Sequence, residues 1–108
     1  MIVRISKGTF DPIDLEEVER LAVESELSLR DALQRMPGLV HCYVGIDREV
    51  GAVTNLSVWD TLEHARAIDE LAPMRALRAI MEDAGVVFEA ITNHEVQWSV
   101  IGAAGTPA

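Results

Sequence analysis

The sequence has little that a disulfide, a metal ion or a nucleic acid could use. One cysteine, Cys42, occurs in 108 residues, so no disulfide can close within the chain. It sits inside an apolar strand-like run, where a lone thiol behaves as a small hydrophobe. Basic residues are scarce: Lys and Arg total 9 against 18 Asp and Glu, a formal charge of -9 at pH 7. That surface repels phosphate backbones and anionic lipid. The basic residues are also scattered, so neither a nucleic-acid nor a membrane partner is expected. No apolar run reaches bilayer-spanning length. The opening MIVRISKG lacks the apolar stretch of a secretion signal, and the expected location is the cytoplasm. There is no glycine-rich phosphate loop. The three histidines share no tight metal-ligand spacing. No metal and no cofactor is therefore expected. The many carboxylates fall on predicted helix surfaces, which leaves paired-carboxylate catalysis without support.

What the chain does have is an ordered change of periodicity. Residues 2–7 (IVRISK) alternate, with Ile2, Arg4 and Ser6 on one face and Val3 and Ile5 on the other, the pattern of a strand. Asp11 and Pro12 then suit a helix start. Leu15, Val18, Ala22, Ser25, Leu29, Leu33 and Met36 follow helical spacing, which predicts a helix to about Met36 with one apolar stripe. Its length invites a break near Ser25 to Ser28. Pro37-Gly38 stops it. Two strongly apolar strands follow, LVHCYVGI (39–46) and AVTNLSVW (52–59), joined by DREVG. Asp60 and Glu63 resemble a capping box, and Pro73 divides the second helical region. Gly85 ends that region, and a long last strand runs over about 86–100, with a bulge near Thr92-Asn93 or a tail reaching over a partner.

This order, βαββαβ, predicts an α+β ferredoxin-like sandwich as one domain over residues 1–100, with a flexible tail over 101–108. Both faces of the hairpin are apolar. Helices can cover one; a second copy of the chain is the natural cover for the other. A homodimer through sheet-to-sheet packing is expected.

The candidate site lies on the hairpin. A turn centred near Glu49 puts Tyr43 opposite Asn55 and His41 opposite Ser57, with Trp59 further along the same face. Such a patch suits either a pocket for a small planar aromatic molecule or plain cross-strand packing. In the pocket reading, Asn55 holds an oxyanion and His41 takes a phenolic proton. Arg4, charged in mid-strand, meets an anionic substrate oxygen or reaches an edge. Arg75 and Arg78 rim the cleft after Pro73, and His64 sits at the rim or in solvent. His94 reads as an interface histidine.

MIVRIS, MPGLVHCYVGID, NLSVWDTLEHARA and ITNHEVQWSV together resemble the antibiotic-biosynthesis monooxygenase-like family, over residues 1–100. The resemblance implies a dimeric α+β barrel with a pocket between sheet and helices. It also implies cofactor-free oxidation of a phenolic, quinol or polyketide-like substrate by molecular oxygen, the deprotonated substrate supplying the electrons. An asparagine and a tryptophan four residues later line the family's site; Asn55 and Trp59 match. An arginine in the next helical region has Arg75 or Arg78 as its counterpart. The family's tyrosine shortly after the tryptophan is missing, with His64 and Ala65 in that neighbourhood. Haem-degrading relatives use an asparagine on the first strand, and a tryptophan and a histidine in the second helical region. Here the first strand offers Arg4 and Ser6, and no tryptophan or histidine falls between His64 and His94. Two other functions remain open: a non-catalytic ligand-binding or regulatory domain, and an oxygen-independent isomerase or cyclase with His41 as base.

Overall fold

The computed structural model of the chain describes residues 1–104. Strand β1 (Ile2–Thr9) leads through a short 3-10 turn at Pro12–Asp14 into helix α1 (Leu15–Gln34). Strands β2 (Leu39–Asp47) and β3 (Ala52–Trp59) form the hairpin. Helix α2 (Leu62–Ala67) and a 3-10 turn at Ile68–Glu70 precede helix α3 (Ala72–Asp83). Two short strands, β4 (Val87–Phe88) and β5 (Thr92–Glu95), follow. The sheet order is β2-β3-β1-β4, with β5 also on β1, and every pairing is antiparallel. This is the ferredoxin-like α+β fold.

Local chemistry sets the element boundaries. Asp11 accepts from Ile13 N at 3.0 Å at the entry to the first helical region. Gly38 takes φ +81° and turns the chain after α1, a conformation that suits glycine because it has no Cβ. Pro73 sits in the first turn of α3, where its missing N–H costs nothing, so the expected division falls there. Three expectations are corrected. Helix α1 runs unbroken through Ser25 and Ser28, whose hydroxyls donate back to Ala22 O and Ser25 O at 2.6 and 3.0 Å. The cap of α2 is Thr61, which accepts from His64 N at 3.2 Å, while Asp60 instead bonds the His64 ring. The last strand is not continuous: its pairing to β1 slips by one residue between Phe88 and Thr92, and residues 96–102 have no regular structure. Of the tail expected over 101–108, residues 105–108 lie outside the described residues.

The hairpin register is the correction with most consequence. Asp47 pairs with Ala52, leaving a four-residue loop. The Asp47 carboxylate accepts from Glu49 N and Val50 N at 3.0 and 3.2 Å, and Gly51 closes the loop at φ +77°. Asn55 therefore faces Val44, Ser57 faces Cys42, Tyr43 faces Leu56 and His41 faces Val58. A slip of one residue moves a strand's side chains to the opposite face, so His41 and Tyr43 lie on the other side of the sheet from Asn55 and Ser57. A register irregularity between Leu39 and His41 returns Leu39 to the Trp59 side.

Helices cover one sheet face, and on it the core falls into two clusters. Phe10, Val18, Val53, Met81 and Val86 form one. Trp59, Ala65 and Ile68 form the other, with Ile2, Leu33, Met36, Leu39 and Met74 packed against them. The opposite face carries Val3, Ile5, Leu56 and Val58, all half-buried, and exposed Tyr43.

Candidate functional site

Between the two core clusters lies a cavity of about 290 Å³. Its floor is the helix-side face of β1 and β3: Arg4, Ser6, Val53 and Asn55. Its roof is α3 with the turn before it: Ile68, Asp69, Met74, Arg75, Leu77, Arg78 and Met81. Val44, Phe88 and Ile91 complete the wall. The volume is near the lower end of the usual ligand-pocket range of ~300 Å³ and above, and mostly apolar walls with a few polar groups are typical of such pockets.

Sequence alternation explains the polar floor. Strand β1 places Arg4 and Ser6 on its helix side, where they pair across with Ser57 and Asn55 of β3. The Asn55 carbonyl oxygen accepts from the Cys42 thiol at 3.6 Å. Among the described residues its amide nitrogen has only the Met74 thioether, at 4.0 Å. Sulfur is a weak acceptor, so the amide donors stay available to an oxygen in the cavity. Arg4 is 3% exposed and donates from Nη2 to Asp69 Oδ1 at 2.7 Å. Its Nε is buried and, among the described residues, has no hydrogen-bond partner. Arg75 donates from Nε to Asp69 O at 2.8 Å and pairs with Glu70 at 3.1 Å. The Arg78 guanidinium lies 4.8 Å from the centre of the Phe88 ring, a cation–π contact. Burial pushes the Cys42 thiol above its ordinary value, and the Arg4 charge partly opposes this.

The cavity thus brings together Arg4, Asn55, Arg75 and Arg78 from the expected set. It leaves the others elsewhere. Trp59 is wholly buried in the second core cluster and donates its indole N–H to Ser57 Oγ at 2.8 Å; neither borders the cavity. Trp59 instead packs in the cluster with Ile68 and Met74, which do border it. His41 and Tyr43 stack on each other at 4.3 Å outside this cavity, and with Asn55 they line the open groove along β2. His64 bonds Asp60 at 2.7 Å at the start of α2. His94 contacts Thr92 Oγ1 at 2.9 Å on exposed β5. Sequence reasoning missed Ser6 and Asp69 as cavity residues. Ser6 shared the Arg4 alternation and was legible. Asp69, one acid in a charged helical region, carried no distinguishing signal. A second, open groove of about 870 Å³ runs between α1 and the edge strand β2 and shares Val44 and Asn55 with the cavity. Among the described residues no group of His, Cys, Asp and Glu is placed to hold a metal ion, and no helix is long and apolar enough to cross a membrane.

The whole-chain geometry has clear relatives among solved structures. A Deinococcus radiodurans protein proposed as an antibiotic biosynthesis monooxygenase superposes with a TM-score of 0.72 at 16% identity, over 93% of this chain and 96% of that one. A monooxygenase from the gene ActVA-Orf6 of Streptomyces coelicolor, in complex with nanaomycin D, gives 0.70 at 16% identity, over 94% and 92%. SnoaB, a cofactor-independent oxygenase from Streptomyces nogalater, gives 0.61 at 15% identity, over 92% and 95%. The chain has the fold of these monooxygenases. No family model matches the chain, and no curated protein matches it. At such identities the likeness establishes architecture, and activity has to be argued from the cavity.

Proposed function

We propose that the protein is a cofactor-independent monooxygenase of the antibiotic-biosynthesis monooxygenase-like family, oxidising a phenolic, quinol or polyketide-like aromatic substrate with molecular oxygen. The observation that carries this reading is the apolar cavity under α3 with the free Asn55 amide and the Arg4 guanidinium on its floor. The fold relatives named as monooxygenases support the reaction type.

In this reading the substrate's ring system lies among Ile68, Met74, Leu77 and Met81, which exclude water. Its oxygen faces Asn55 and Arg4. Preformed donors aimed at a developing oxyanion are worth more in a dry site than in water. They favour the deprotonated substrate, whose proton passes to solvent. The anion gives one electron to dioxygen; the substrate radical and superoxide combine at carbon. For a ring CH2 flanked by aromatic carbons, loss of water from the hydroperoxide leaves a carbonyl. One oxygen atom enters the product and the other leaves as water. Trp59 acts as a positioning residue by holding Ile68 and Met74. Two copies pack through the outer sheet faces, where Val3, Ile5, Leu56, Val58 and Tyr43 supply an apolar surface.

The test is oxygen uptake with dithranol as probe. The wild type consumes oxygen, and Asn55→Ala slows turnover ~100-fold, the scale of losing one oxyanion donor, with its circular dichroism unchanged. An Asn55→Ala protein that folds and turns over normally removes Asn55 from the mechanism. One observation favours a second reading, a non-catalytic ligand-binding domain: no histidine borders the cavity. Saturable dithranol binding without oxygen uptake would establish that reading instead. The isomerase or cyclase reading has no base in this cavity, because His41 lines the groove along β2 instead.

A further inference from the structure

Two sulfur atoms bracket the Asn55 carboxamide, and they are chemically unlike. Strand β2 brings up Cys42, whose Sγ lies 3.6 Å from Asn55 Oδ1. Helix α3 brings up Met74, whose Sδ lies 4.0 Å from Asn55 Nδ2. A thiol has a hydrogen to donate, whereas a thioether can only accept. A carboxamide turned over about its last bond fills almost the same space. Turned over here, its carbonyl would face the thioether, two acceptors with no hydrogen between them. Its N–H donors would be left with the thiol sulfur, a weak acceptor. The pair of sulfurs therefore selects the sense of the amide.

The strand register explains why Cys42 is the residue in reach. Cys42 pairs with Ser57 and Val44 with Asn55, which makes Cys42 the diagonal neighbour of Asn55 on one sheet face. The Ser57 hydroxyl already accepts the Trp59 indole N–H at 2.8 Å. Cys42 is half-buried, and burial pushes its thiol above the ordinary value, so the S–H hydrogen is present at neutral pH. Met74 and Asn55 border the cavity under α3, and Cys42 does not. It lines the groove along β2, where Asn55 is also found, and so stands behind the amide. A carbonyl in place of the N–H donors would present a lone pair to a developing oxyanion and repel the charge the donors stabilise.

We propose that Cys42 is a positioning residue for Asn55: its S–H holds the carboxamide oxygen on the β2 side, so that the amide donors stay turned toward Met74 and the cavity under α3. Its effect on turnover rests on that cavity being the substrate site; its effect on the amide does not. Cys42 itself touches no substrate. Serine at this position keeps a donor, whereas valine keeps an apolar side chain and has none. Comparing the two separates the hydrogen bond from packing.

The experiment compares the wild type with Cys42→Ser and Cys42→Val. Asn55 and Asn93 are the only asparagines in the chain, so asparagine-selective isotope labelling isolates their side-chain amides, and Asn55→Ala assigns them. In the free protein, a nuclear Overhauser contact between the Asn55 amide protons and the Met74 methyl is expected in the wild type and in Cys42→Ser. It should weaken markedly in Cys42→Val. Oxygen uptake with dithranol reads the consequence. Cys42→Val should lower kcat ~10-fold, less than the loss of an oxyanion donor outright, with KM little changed, and Cys42→Ser should keep nearly all of the wild-type kcat. A full-strength contact in Cys42→Val overturns the inference. So does a wild-type kcat in that variant, or an equal loss in the valine and serine variants, which marks plain packing. If the wild type takes up no oxygen, the proposed function fails and the amide contact alone decides whether Cys42 sets the orientation of Asn55. Cys42→Ala gives the same comparison if Cys42→Val does not fold.

Discussion

Asn55 and Trp59 share one face of β3 and have different roles. Asn55 faces open volume under α3, whereas Trp59 is closed in by Ala65 and Ile68. Alternation along β3 could be read from the sequence, and so could the shared face of Arg4 and Ser6. The difference between the two β3 residues could not, because it depends on where α2 and α3 cross the strand. Trp59→Phe is expected to lower unfolding free energy by ~1–3 kcal/mol in urea titration, since it leaves the buried Ser57 hydroxyl without its indole donor. Cys42 gives a second check. Burial raises its pKa, so thiolate is scarcer than in a free cysteine at the same pH. Iodoacetamide should alkylate Cys42 at pH 8 more slowly than free cysteine, with the rate rising only at higher pH.

At the scale of elements, turn chemistry decided what the hydrophobic pattern could not. The pattern gave β2 and β3 almost to the residue. The loop between them is four residues rather than five because the Asp47 side chain caps two backbone N–H groups, and that one-residue difference put His41 and Tyr43 on the wrong face in the sequence reading. The turn after α1 is similarly specific. A Cβ at Gly38 would strike both Asp60 and His64, at a backbone φ of +81°. Gly38→Ala should therefore cost ~1–2 kcal/mol, measured by thermal unfolding. The His64 bond, the largest cause, holds the Asp60 carboxyl below its ordinary value. A lowered carboxyl adds stability that is complete above about pH 4 and lost as pH falls through the lowered value. Asp60→Asn should differ from wild type near neutrality and converge with it in strong acid, by a small margin because the Asp60 carboxylate is exposed.

At the scale of the whole molecule, the sequence made the βαββαβ order legible because periods of 2 and 3.6 alternate cleanly. The broken last strand was not legible, since its slip depends on pairing with β1. Two-sided apolarity was also readable, and it motivates the dimer: Leu56→Glu on the outer face should halve the sedimenting mass from about twice the 11.9 kDa chain to that of one chain. Chemistry is placed in the cavity under α3, and the decisive measurement is oxygen uptake with dithranol by Ser6→Phe. Phenylalanine at Ser6 fills the cavity from the floor. Steady uptake by the wild type and loss of nearly all of it in Ser6→Phe are expected, with the circular dichroism spectrum retained. Uptake that survives the filled cavity, or none in the wild type, would contradict it.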